Sequence, residues 1–315
     1  MIRRIRIRAI EEQTFPYYLT PKLLSKYFSF VSKDYEYTFL PLIKEEDQDN
    51  FQMVNWEQYL DGNSRTAVIH TLDEYWNRTK FNQAMIQVCE NCDLVFGHQL
   101  PANKPMSQFS PIFFRSLLQP THDPSNTQNS SMTHDICFWG AFEPQNDAKS
   151  FAHQRLRERS YRTFVIEQIA KHKIKHSWNI NIKSVYYWRL TKHERDEITK
   201  QYAMALQGSK LGLSLYGYGY NSYRNADIFA LGCTLLSPMI YNHVLLPEFE
   251  KWYSHELGFF FHDDCSDLEN VIQFALGNDT ERRRRAYNGH AYFKKYSTYR
   301  GIVESIHTKL LSKLE

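Results

Sequence analysis

Short apolar runs alternate with longer stretches of helical periodicity along most of the chain, and few folds satisfy that alternation. Thr66-Ala-Val-Ile-His70 and Asp93-Leu-Val-Phe-Gly97 are apolar, bounded by polar residues, and separated by a helical stretch from about 73 to 87. Such runs read as buried strands. The N-terminus adds a strand over 2–10, with Ile5, Ile7 and Ala9 on one face and Arg4, Arg6 and Arg8 on the other. Residues 35–42 form a further strand. Thr20-Pro21 supplies an N-cap hydroxyl and a first-turn proline, and Leu23, Leu24, Tyr27 and Phe28 continue the helix as one apolar stripe. Strand, helix, strand in this order requires crossover connections, and therefore a parallel sheet.

The pattern repeats in the second half. Strands are expected at 135–140, 179–187, 210–215, 234–237 and 258–262, and helices at 150–172, 193–207, 222–231, 266–277 and 279–296. Arg155, Arg157, Arg159 and Arg162 read as a solvated face of the first of these helices. Between the halves, QPTHDPSNTQNSSMT (119–133) has a single apolar side chain and reads as a linker. The expected organisation is a domain over 1–120, a linker over 121–133 and a second domain over 134–298. A last helix over 299–315 would return to cover the first domain through Ile302, Ile306, Leu310 and Leu311. The fold class is α/β, two Rossmann-like doubly wound domains.

Composition narrows the function classes. The 315 residues carry 38 basic and 35 acidic side chains, a net charge of +3, too balanced for a duplex nucleic-acid binder. No apolar run reaches the ~18 residues of a membrane span, and MIRRIRIRAIEEQ lacks the apolar core of a signal peptide. Five cysteines without regular spacing are no disulfide framework. The chain is therefore expected to be soluble and cytoplasmic, and the sequons at Asn77, Asn129 and Asn278 carry little weight. Cys89-Glu-Asn-Cys92 lacks a second ligand pair, so small apolar residues at a helix end outweigh zinc. Aromatic residues make up 15% of the chain; they offer stacking surfaces, sugars being one ligand that uses them, although core packing accounts for most.

One segment carries chemistry. In LGLSLYGYGYNSYRNADIFALGCTLLSP (211–238) an apolar strand ends in a loop holding Gly217 and Gly219, and a helix begins near Ser222. Loop glycines let backbone N–H groups approach an anion, and a helix N-terminus adds unpaired N–H groups and a positive dipole end. Arg224 in the first turn suits a phosphate. Asp227, three residues on, lies on the same helix face and suits a ribose or sugar hydroxyl. Tyr216, Tyr218, Tyr220 and Tyr223 flank the loop for stacking or packing. A nucleotide-diphosphate sugar fits this set; a surface Arg–Asp salt bridge is the plainer alternative.

Ser222-x-Arg224-x-x-Asp227-Ile-Phe-x-x-Gly232-Cys233-Thr234 resembles the donor-site motif of GT-B glycosyltransferases of the exostosin-like and group 1 type, S-x-R-x-x-E-A-x-x-x-G-C-x-P. His134-Asp-Ile-Cys-Phe-Trp-Gly140-Ala resembles the family's first C-domain strand and glycine turn. Ser266-Asp-Leu-Glu-Asn-Val-Ile through Ala286-Tyr-Asn-Gly289-His-Ala-Tyr-Phe resembles its closing helices. The family's glutamate is Asp227 here, and its proline is Leu235. The resemblance covers about 134–300 and implies two domains facing a cleft and a nucleotide-sugar donor. It also implies a glycan or other hydroxyl acceptor and a metal-independent transfer without a cofactor. No Asp-x-Asp stands after a strand of the second half as a metal clamp would, and Asp263-Asp264 reads as a turn. The donor-binding candidates are then Gly140, Arg189, Lys192, Tyr216, Gly217, Tyr218, Gly219, Ser222, Tyr223, Arg224 and Asp227. An inverting transfer also needs a base from the first half; His70, Asp73 and His98 stand at strand ends and are the candidates, whereas a retaining transfer needs none. The rival readings are a GT-B-like epimerase or phosphorylase, an inactive sugar-nucleotide-binding module, and a nucleic-acid base glucosyltransferase using Arg3, Arg4, Arg6 and Arg8.

Overall fold

The computed structural model describes residues 2–9, 19–40, 65–70, 90–97, 109–111, 132–141, 161–186, 189–215, 223–239 and 256–315, with backbone alone at 9, 70 and 109–111. The strands are β1 (Ile5–Ala9), β2 (Phe28–Phe30), β3 (Tyr37–Phe39), β4 (Arg65–His70), β5 (Leu94–Gly97), β6 (Phe109–Pro111), β7 (His134–Trp139), β8 (Ile180–Lys183), β9 (Ser209–Leu213), β10 (Thr234–Pro238) and β11 (Gly258–Phe261). The helices are α1 (Pro21–Leu24), α2 (Tyr161–His176), α3 (Lys192–Gln207), α4 (Tyr223–Ala230), α5 (Leu268–Gly277), α6 (Asp279–Tyr296) and α7 (Tyr299–Leu314). The chain divides into two compact units, Met1–Phe113 with Tyr296–Glu315, and Phe114–Lys295. Among the described residues no helix is long and apolar enough to cross a membrane.

The first unit is built on a parallel six-stranded sheet in the order β2-β1-β3-β4-β5-β6. β1 sets its register, pairing Ile5 with Phe28 and Ile7 with Tyr37. Its alternation is realised: Ile5 and Ile7 are fully buried, while Arg4 and Arg6 are exposed. The buried face continues through Phe28, Tyr37, Phe39, Ile69, Leu94 and Phe96 and is covered by Ile302, Val303, Ile306 and Leu310 of α7. Each of those four side chains, withdrawn completely from water, contributes about 1.5–3 kcal/mol. Polar contacts fix the helix on the sheet. The Tyr37 hydroxyl donates to the Leu310 carbonyl at 3.0 Å, and the His307 imidazole to the Arg3 carbonyl at 2.7 Å.

α1 is shorter than its sequence predicts. Thr20 caps it as expected, but the helix ends at Leu24, and Phe28 opens strand β2 instead of a third apolar turn. Pairing with β1 satisfies a row of backbone groups and buries Phe28 completely, and that tertiary gain overrides a marginal single-turn propensity. β6 likewise has no clear signal in the sequence.

The second unit carries a parallel five-stranded sheet in the order β11-β10-β9-β7-β8. α2 and α5 cover one face, where Val165, Ile169, Leu268, Ile272 and Ala275 pack on Ile136, Phe138, Leu211, Leu213, Phe259 and Phe261. α3 and α4 cover the other: Leu206 and Ile228 lie over Gly212, between the oppositely directed Leu211 and Leu213. Helices on both faces of a parallel sheet make this domain doubly wound, so the expected class of two Rossmann-like sheets is present.

Candidate functional site

The order of the second sheet places a reversal between β7 and β9: the chain leaves β7 for β8 on one side and returns to β9 on the other. Open α/β sheets receive ligands at the carboxyl ends of the strands flanking such a reversal. At that place β7 ends in Trp139, followed by Gly140, and β9 leads through 214–222 into α4.

α4 is enclosed almost all round. Arg224, Asn225, Asp227 and the four apolar residues after its first position are buried, Arg224 at 6% exposure and Asp227 at 1%. A surface salt bridge is therefore the wrong description of the Arg–Asp pair. Burying a charge without compensation is costly, so the surroundings of Arg224 matter. Its Nη2 donates to the Trp139 carbonyl at 3.2 Å, and its guanidinium carbon lies 4.9 Å from the centre of the Phe138 ring. A Cβ on Gly140 would stand 2.6 Å from Nη2, so glycine lets the guanidinium lie this close to the turn, and a side chain there would make it shift. The Nε of Arg224 is buried without a hydrogen-bond partner among the described residues.

A second orphaned group belongs to Tyr202 of α3, a residue that sequence reasoning missed. Its hydroxyl is buried without a hydrogen-bond partner among the described residues. Burial pushes the phenol well above its ordinary pKa; the Arg224 charge pulls it down and the Asp227 charge pushes it up again, so the hydroxyl lies within the field of both. The Tyr202 ring centre is 6.1 Å from that of Trp139, whose Nε1 donates to Asn181 at 3.0 Å and whose ring holds the Lys183 ammonium at 4.5 Å. Cys137, earlier on the same strand as Trp139, is fully buried, and burial pushes its thiol up to about 12.

The remaining candidates are placed as follows. Tyr223 opens α4 and is 38% exposed. Arg189 is exposed and stacks on the Tyr186 ring at 4.8 Å. Lys192 is exposed in the first turn of α3, behind the Thr191–Glu194 capping box. Hydrogen bonds from Thr191 hold the Glu194 carboxyl below its usual pKa. The described contacts bring Gly140, Arg224 and Tyr202 together around Trp139 and join neither Arg189 nor Lys192 to them. Tyr216, Gly217, Tyr218, Gly219, Tyr220, Ser222, Asp73, His98 and Cys89 lie outside the described residues. His70 is described in its backbone alone, opposite Gly97 at the end of β4. Of the arginine run, 155, 157 and 159 lie outside the described residues, but Arg162 is half-buried and donates to the Ala141 carbonyl at 2.9 Å, so it supports the loop after β7 and is not a solvated charge. Among the described residues no three His, Cys, Asp or Glu side chains converge as metal ligands.

The end of α4 is clamped by α6. The Phe229 carbonyl is 3.0 Å from Nδ1 of His290, and a Cβ on Gly289 would stand 2.5 Å from the Phe229 ring. The sequence similarity noted at 286–293 thus has a packing reason.

Residues 157–308, just under half of the chain, match the family described as glycosyl transferase-like. The resemblance drawn from the segment around Arg224 is borne out over that part. The comparison with curated proteins returns no match. Among solved structures the chain is similar to sucrose-phosphate synthase from Thermosynechococcus elongatus, at 12% identity over 82% of this chain and 70% of that one, with a TM-score of 0.49. It is similar to HepE of Anabaena in complex with UDP, at 10% identity over 98% and 100%, with a TM-score of 0.48. A mutant of S. aureus TarM, in complex with Fondaparinux, alpha-GlcNAc-glycerol and UDP, matches at 11% identity over 79% of this chain, with a TM-score of 0.46. The chain spans 51% of the TarM length.

Proposed function

We propose, taking the glycosyl transferase-like character of residues 157–308 as the premise, that the chain transfers a sugar from a nucleotide-diphosphate sugar to a hydroxyl acceptor. The observation that carries this reading is the buried cation at the sheet reversal: Arg224, pinned to the Trp139 carbonyl under Gly140, with Asp227 buried one turn further along α4. A cation buried at the carboxyl end of a parallel sheet draws an anion to it more strongly than a solvated one.

In this reading the donor diphosphate lies over the Gly140 turn and the N-terminal end of α4. Arg224 acts by its field and by fixing that turn. Asp227 accepts hydrogen bonds from ribose or sugar hydroxyls. The acceptor oxygen attacks the anomeric carbon, the bond from that carbon to the diphosphate oxygen breaks, and the diphosphate leaves with the electron pair. Stabilising the charge on that leaving group is the main task, assigned here to Arg224, with Arg189 and Lys192 as further cations and without a divalent ion. If configuration inverts, a base takes the acceptor proton, with His70, Asp73 and His98 as the candidates.

The nucleic-acid reading would draw on Arg3, Arg4, Arg6 and Arg8, the first three of which have partners within the sheet. Arg3 donates to Glu36 at 2.6 Å, the Arg6 backbone N–H donates to the same carboxylate at 2.8 Å, and Arg4 donates to the Phe28 carbonyl at 2.9 Å. Those arginines serve the sheet. The proposal is tested by incubating the protein with several nucleotide sugars and following release of nucleoside diphosphate. Release of one diphosphate, dependent on Arg224 and Asp227, is the expected result; release unchanged in Asp227→Asn would remove the hydroxyl-binding role.

A further inference from the structure

The first sheet has the same reversal as the second, and there too an arginine stands at the end of the first strand. The chain leaves β1 for β2 on one side and returns to β3 on the other. Arg8 lies near the carboxyl end of β1, paired in register with Thr38 of β3. It borders a cavity of about 500 Å³ whose described lining is Arg8, Phe30, Val31 and Ser32, the last three at the exit of β2.

The charge of Arg8 is handled differently from that of its neighbours. Glu36 holds Arg3 and the backbone of Arg6, and the Phe28 carbonyl holds Arg4. Arg8 meets no acid among the described residues. Its Nη1 donates to the Tyr35 hydroxyl at 3.1 Å and its guanidinium carbon stands 5.5 Å from the Tyr35 ring centre. Neither contact neutralises the charge; together they aim it. A guanidinium presents five N–H donors in a fixed fork, and one phenol leaves most of them for another acceptor. Beside it Phe30 leaves a large apolar side chain 48% exposed, and the exposed Ser32 brings a hydroxyl.

We propose that this cavity binds a ligand bearing an anionic group, a phosphate or a carboxylate, on Arg8, with the carbon body of that ligand against Phe30. The cation supplies charge-assisted hydrogen bonds in the fork geometry that suits both oxyanions. The aromatic ring covers the apolar face of a sugar or similar body, and Ser32 adds a neutral contact. Calling this ligand the acceptor rests on the transferase reading above; the anion site itself does not.

The test is calorimetric titration of the full chain with three probes of similar body: glucose, glucose 6-phosphate and glucuronate. At least one charged probe is expected to bind 10-fold or more tighter than glucose. Arg8→Gln is expected to erase that difference, Arg8→Lys to keep part of it, and Ser32→Ala to cost a few-fold, with thermal midpoints unchanged. Preference for glucose 6-phosphate assigns a phosphate, preference for glucuronate a carboxylate. Equal affinity for all three probes, or a preference that persists in Arg8→Gln, overturns the proposal. Titration with uridine and guanosine diphosphates separates the two readings. If neither binds the wild type while the Arg8-dependent preference stands, the transferase reading falls and the anion site remains.

Discussion

The two sheets share one wiring and fill its reversal point in opposite ways. In both, the first strand lies between the second and the third. In the second unit the arginine at that point comes from a helix, is buried, and is tied to the backbone of the strand it covers. In the first unit the arginine belongs to the strand itself and borders an open cavity. A buried cation holds a fixed geometry and projects a field; a partly exposed one can be reached by a ligand and screened by salt. On the two proposals above, the same topology yields a preset site in one unit and a capture site in the other.

That contrast is sharpest at Arg224. Arg224→Ala is expected to lower donor turnover by 100-fold or more. It should also destabilise the fold, by about 1–3 kcal/mol for the stranded Trp139 carbonyl and by more for the cavity left behind. Arg8→Ala is expected to leave chemical denaturation unchanged. Equal stability losses in the two variants would erase the distinction between preset and captured charge.

Gly140→Ala is a smaller break. The added Cβ must displace Nη2, and overpacking of this kind costs about 1–3 kcal/mol. Donor turnover is expected to fall about 10-fold, measured as diphosphate release. A variant with full turnover would show that the guanidinium position does not matter.

Tyr202→Phe sharpens the comparison by sign. Removing a buried hydroxyl without a partner is expected to leave stability unchanged or raise it by up to about 1 kcal/mol. Nucleoside-diphosphate affinity is expected to fall a few-fold, because the hydroxyl lies in the fields of Arg224 and Asp227. Lost stability with unchanged affinity would make Tyr202 a packing residue only.

The smallest effect asks whether charge also matters away from the strand ends. Glu269 on α5 is held by Lys175 and His176 of α2, and these hydrogen bonds draw its carboxyl down to about 2. A carboxyl depressed in the folded state stabilises above its unfolded pKa of about 4.3, and that contribution is lost as pH falls toward 2. Acid unfolding followed by circular dichroism should therefore show a shallower pH dependence in Glu269→Gln between about pH 5 and 2. An identical profile would mean the α2–α5 contact is held by apolar packing alone.

Much of this architecture was legible in local sequence. The second sheet's strands announce themselves because apolar runs such as 211–213 and 235–236 are buried on both faces, and burial on both faces leaves no polar alternation to confuse the reading. β2 was hidden because Thr20-Pro21 is a true helix start and Phe28 falls at helical spacing from Leu24. Only pairing with β1, which sets Phe28 opposite Ile5 and Phe30 opposite Ile7, decides it as strand. Gly140, Arg224 and Asp227 were legible as a motif, but their burial was not, since charged helix residues ordinarily face water. Tyr202 gave no signal at all. Its meeting with Trp139 and Arg224 is made by the crossover from α3 to β9 and α4, not by spacing along the chain.

The seating of α7 on β1 has a consequence for the order of events during synthesis. Ile5 and Ile7 leave the ribosome long before the side chains that cover them, Ile302 to Leu310. The second unit, continuous from Phe114 to Lys295, has its own core complete before that cover exists. A ribosome making this chain therefore carries the first sheet without the side chains of α7 while the whole of the second unit is translated, and that interval is when a chaperone would be needed.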